Sequence, residues 1–162
     1  MASSFSLAQQ AQIVSALAPA ADAAGRTGAY VTLKNAHKAF IVVHIAQGNA
    51  ATVGLTLLQA TAVAGTGSKA LSANQRIWAA LDVGTTDALV RQADAASFTT
   101  DAALKNKLVL FEVDPASLDT ANGYDCIAVV TGASNVANIT AALYELMPLR
   151  FDGNPPPSAI VD

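Results

Sequence analysis

The 162-residue chain has a formal charge of -3 and a charged fraction of 13%, about half that of an average soluble domain. Its length bounds one domain with a real core, and its acidic balance without any Lys/Arg run excludes nucleic acid as the main partner. Hydrophobic residues reach 52% while aromatics stay at 6%, so Ala and Val carry the excess. A surface this poor in charge is expected to lie partly against other protein; the competing reading is a compact, Ala-rich monomer.

Residues 1–27 read as an arm. Ser4 or Ser6 can cap a short helix over Leu7–Leu17, with Leu7, Ile13, Val14 and Leu17 on one stripe. Pro19 and the Ala/Gly run to Gly28 end it. No Lys or Arg precedes Arg26, so the positive region of a secretory signal is missing. No apolar stretch approaches the roughly 18 residues that cross a bilayer. The chain is expected to be made in a reducing cytoplasm, with no membrane partner.

Residues 28–151 read as an all-β domain, a β-sandwich or jelly roll of about eight strands. Its centre is 29–67, two apolar strand patterns joined at Gly48-Asn49 and expected as a hairpin. Phe40–Ile45 is β-branched and aromatic, which suits burial on both faces, or on one face with a partner chain over the other. In the second pattern Val53, Leu55, Leu57 and Gln59 share one face, and Thr52, Gly54, Thr56 and Leu58 the opposite one. The predicted strands are Tyr30–Leu33, Ala39–Ile45, Val53–Ala62, Gln75–Leu81, Ala88–Gln92, Leu108–Val113, Asp125–Val130 and Ile139–Met147. Asp114 before Pro115 predicts a brief helix start. Residues 152–162 form a Pro-rich tail, a stiff spacer whose end, Ala159–Val161, is apolar enough to dock.

No chemical constellation emerges. His37 and His44 are an odd number of residues apart, so within one strand they face opposite ways and cannot share a metal. Glu112 and Asp114 point the same way but read as the solvated end of a strand. Asp119–Asp125 resembles a calcium loop only faintly, and a tight hairpin turn on Asn122-Gly123 is the preferred reading. Cys126 lies in an apolar run and reads as a buried, inert thiol. Asn138-Ile-Thr140 fits a glycosylation acceptor, uninformative without a secretory signal. Trp78 or Tyr124 could stack on a sugar, although a single Trp in an apolar strand belongs more readily to the core. The expectation is a non-enzyme with no metal, cofactor or catalytic residue.

The run GAYVTLKNAHKAFIVVHIAQGNAATVGLTLLQATAVAGTGSKALS (Gly28–Ser72), the block FEVDPASLDTANGYDCIAVVTG (Phe111–Gly132) and a closing strand before a Pro-rich end carry a resemblance. Together they are similar to small structural proteins encoded beside the major capsid protein in tailed bacteriophage and prophage head modules. The resemblance implies a virion component, made in the bacterial host cytoplasm, that decorates and cements the capsid surface. It implies two partners, the major capsid protein and further copies of this chain as a homodimer or homotrimer. The alternatives are a tail or neck subunit of the virion, or a glycan-binding jelly-roll module. The residues expected to make contacts are Phe5, Leu7, Ile13 and Leu17 on the arm, Lys34 and Lys38 at strand ends, and Pro155, Pro156 and Ile160 on the tail.

Overall fold

The computed structural model describes residues 6–151 and 155–162; Ser4 and Phe5 lie outside them. One helical turn, α1 (Leu7–Gln10), precedes twelve strands among the described residues. These are β1 (Gln12–Ala21), β2 (Arg26–Thr27), β3 (Val31–Thr32), β4 (Ala39–Gln47), β5 (Gly54–Ala60) and β6 (Lys69–Ala70). After them come β7 (Arg76–Ala80), β8 (Val90–Arg91), β9 (Ser97–Thr99), β10 (Asn106–Val113), β11 (Cys126–Thr131) and β12 (Asn138–Leu146). The first sheet runs β1-β12-β4-β10-β7-β8. The second runs β2-β11-β5-β6, with β3 on β11 and β9 on β5. All pairings are antiparallel, and the two sheets share one core, so the architecture is all-β and sandwich-like. No helix among the described residues is long and apolar enough to cross a membrane.

Each of the eight predicted segments contains a strand. The hairpin does not form. β4 lies at the middle of the first sheet between β12 and β10, whereas β5 pairs with β11 in the second, so Gly48-Asn49 crosses between sheets. The predicted alternation on β5 holds and explains the correction: Val53, Leu55, Leu57 and Gln59 are all buried while Thr56 is exposed. With Ile41, Val43 and Ile45 inward on β4, the two strands bury their apolar sides face to face rather than edge to edge.

The arm helix over Leu7–Leu17 is also corrected. Beyond the single turn of α1 the chain becomes a ten-residue strand along β12. So short a helix is marginal alone, whereas the edge of β12 offers every second backbone group a partner. Pro19 is tolerated because β1 is an edge strand, and its register slips between Leu17 and Ala20. Arg26 holds that irregular stretch: its guanidinium donates to Ala18 O, Ala20 O and Thr140 O at 2.8, 3.0 and 2.7 Å and pairs with the buried Asp22 carboxylate at 2.9 Å. Asp22 in turn accepts from Thr131 Oγ1 of the second sheet at 2.9 Å and from Thr140 Oγ1 of the first.

Tyr144 joins the sheets through the core. Its hydroxyl accepts from Val129 N at 3.0 Å and donates to Ala29 O at 2.9 Å. At one end of the same inner face Lys107 is fully buried, donating to Gln47 Oε1 at 2.7 Å and pairing with Asp101 at 3.0 Å. The hydrogen bond from Lys107 to Asp101 holds that carboxyl below the usual carboxylate range. Between β10 and β11, Asp114 caps a short 3-10 turn by accepting from Ala116 N at 2.9 Å, with Pro115 in the first turn position. Asn122-Gly123 is not a hairpin turn, because β10 and β11 belong to different sheets. Gly123 instead closes a second 3-10 turn at φ 79°, where a side chain would be strained.

Candidate functional site

Side chains alternate along strands, so β12, β4, β10 and β7 send every second residue away from the core. The register gathers those residues into rows. Leu143, Val42, Leu110 and Trp78 form the central one, with Ser15 and Arg91 at its ends. Ala141, His44, Leu108 and Ala80 form the row on one side. On the other side run Ile13, Glu145, Phe40, Glu112 and Arg76. Apart from the buried Ala80, these side chains are exposed or half-buried; Leu143 keeps 44% of its surface and Ile13 50%. A shallow groove of about 290 Å³ runs between β1 and β4, lined by Leu17, Pro19, Val42, His44 and Leu143. The feature is a broad, largely apolar sheet face that the described chain leaves open.

Apart from Arg91 at the end of the central row, its charges lie in one flanking row. Glu112 accepts from Trp78 Nε1 at 2.8 Å and meets Lys38 at 3.6 Å, so that carboxylate is satisfied. Among the described residues neither Glu145 nor Arg76 has an ion-pair partner. They occupy the same row, on the strands that flank the central β4–β10 pair.

The expected contact residues separate into two places. Ile13 lies on the open face and Lys38 at its rim, whereas Leu17 turns into the core at 6% exposure because an earlier register slip on β1, between Ser15 and Leu17, reverses its side. Leu7 is exposed on α1. Lys34 lies on the second sheet's side, 3.3 Å from Asp125, and the hydrogen bond between them raises its pKa. The tail comes to the same side: Thr32 N donates to Ala159 O at 2.9 Å and Ala159 is buried. Pro155 and Ile160 are exposed and Pro156 is half-buried; just beyond them Pro157 O accepts from Gln12 Nε2 of β1 at 3.2 Å. Val42, Leu110, Leu143, Glu145 and Arg76 were not singled out from the sequence. The available signal was apolar residues at both phases of one strand, legible in Phe40–Ile45 and repeated in Leu108–Leu110.

Among the described residues no three His, Cys, Asp or Glu side chains converge as metal ligands. His37 sits outside β4 in the preceding turn, and His44 lies on the open face. Both candidate sugar platforms are already occupied by the chain's own cations, Arg91 at 5.5 Å from the Trp78 ring and Lys69 at 4.0 Å from that of Tyr124. No family model and no curated protein matches the chain.

Proposed function

We propose that the two sheets form a jelly roll and that the protein is a non-enzymatic virion component, a decoration protein that cements an assembled bacteriophage head. The jelly-roll reading is supported by nested pairing of the chain with itself: β1 with β12, β2 and β3 with β11, β4 with β10, and β5 with β6 and β9. That is the pattern of one long antiparallel ribbon rolled into two sheets. The functional reading rests on the open apolar face of the first sheet, carried by a chain with few ionised side chains. A cement protein acts by mass action: bound only to the assembled shell, it stabilises that state. Repeated weak contacts across a symmetric lattice then add up. The partners in this reading are the major capsid protein and further copies of this chain.

Mass spectrometry of purified particles, with copy number taken relative to the major capsid protein, tests the reading. Near-equal stoichiometry is expected. A small fixed number of copies would favour a neck or tail subunit instead, and absence from particles would overturn both.

A further inference from the structure

We infer that the open face of the first sheet is a twofold interface with a second copy of this chain, packed sheet against sheet, with Glu145 of each copy against Arg76 of the other. The inference rests on the self-association in the proposed function but not on a capsid as the target.

The argument begins with the strand order. β12, β4, β10 and β7 are consecutive neighbours. A twofold axis lying in the interface, along the strands and between β4 and β10, exchanges β4 with β10 and β12 with β7. Rows keep their height under that rotation, so Val42 comes over Leu110 and Leu143 over Trp78. Glu145 and Arg76 share one row. The same rotation therefore lays each of these opposite charges over the other, twice per dimer. Aligned sheets cross at about 30° and stack about 10 Å apart, which offsets the pair by about 4 Å at the flanking strands. Two long side chains span that offset.

Area agrees. The six strands of the sheet, from ten residues in β1 to two in β8, at about 4.8 Å spacing and about 3.4 Å per residue, present roughly 700 Å² per copy. The pair would bury about 1,400 Å², within the range of specific interfaces. The remaining charge near the centre, Glu112, is already held by Lys38 and Trp78, so docking leaves it satisfied. An isologous interface of this kind closes at two copies and selects the dimer over the trimer.

Sedimentation velocity on the full chain, with fluorescence detection from about 1 nM to 100 μM, is the test, a range that covers most of the affinities, micromolar downwards, of interfaces this size. The expected species has twice the 16.4 kDa chain mass. Glu145→Arg and Arg76→Glu should each weaken dimerisation at least about tenfold by setting like charges together at two places. Combining the two should restore it to within about threefold. Both residues lie outside the core, and an unchanged unfolding midpoint at a concentration too low for association verifies that each variant is folded. A monomer at the highest concentration overturns the interface and self-association together. A dimer indifferent to the single variants overturns this face alone, and a double variant that stays weak overturns the twofold register. Particle stoichiometry is measured separately, so the capsid reading stands or falls apart from all three.

Discussion

The outward faces of the two sheets solve the same problem in opposite ways. On the second sheet two of the three outward residues of β11, Cys126 and Ala128, are small and fully buried, and the third, Val130, is half-buried. The chain closes over the Cys126 end itself: the tail bonds to β3 through Thr32 and Ala159, and the Asp162 carboxylate accepts from Val63 N at 3.1 Å. The turn that carries Val63 is fastened by Tyr124 Oη donating to Gly67 O at 2.9 Å. On the first sheet the outward residues are large, with Phe40, Val42, Leu110, Leu143 and Trp78 among them; all are half-buried or exposed, and Trp78 carries the chain's own Arg91 over its ring. Apolar area gains roughly 25 cal/mol for each Å² removed from water. One face realises that gain within the chain; the other can realise it only against another molecule.

The largest expected effect tests what both faces presuppose, a single core joining the sheets. Tyr144→Ala should destabilise the fold by about 3–5 kcal/mol, as for other buried aromatic truncations. Tyr144→Phe keeps the packing but leaves Val129 N–H and Ala29 C=O without their shared hydroxyl, at about 1–3 kcal/mol. Denaturant unfolding of both variants separates ring from hydroxyl. A phenylalanine variant as stable as the parent would mean that the cross-sheet bond contributes nothing net.

How far the sequence revealed these faces depends on which contacts are local. Alternation is local, so the inward set of β5 and the cap at Asp114 were legible residue by residue. Strand partnership is not. Phe40–Ile45 and Val53–Ala62 are adjacent in sequence and both apolar, which suits a hairpin and suits equally two strands facing across a core. The choice is made by β10, β11 and β12, more than forty residues away. β1 was obscured differently, because Leu7, Ile13, Val14 and Leu17 fit a helical stripe until the edge of β12 is present to pair with them. The Glu145–Arg76 relation has no sequence signal at all, since it exists only once β12 and β7 flank the same central pair.

A matched pair of substitutions puts the comparison of faces directly to the test. Ala128→Leu adds volume to an outward position that is already fully buried, and overpacking of this kind costs about 1–3 kcal/mol. Leu143→Ser removes apolar bulk from an outward position that is 44% exposed, and should cost the isolated chain less than about 1 kcal/mol. Unfolding at low protein concentration, where association is absent, gives the two values. If the serine variant proves the more damaging, the first sheet's face is structural and not free for a partner.

A modest effect on stability should also come from removing the cover on the second sheet. Deleting Ser158–Asp162 takes away the acceptor of Thr32 N, the buried Ala159 and the Asp162 partner of Val63 N, and should cost about 1–2 kcal/mol. Its consequence is clearer in Cys126. Burial first, then the hydrogen bond its thiol donates to Asp125 at 3.1 Å, push that thiol up to about 12. The folded state therefore holds the thiol proton more tightly than the unfolded one, whose thiol titrates near about 8.5. The resulting stability is fully present below that pH and is lost as pH rises from there towards 12. Near pH 8 the intact protein should react with a disulfide reagent only as fast as it unfolds, and the truncated one at least about tenfold faster, because thiolate and access appear together. Equal rates would show that the turn around Val63, rather than the tail, keeps water from this face.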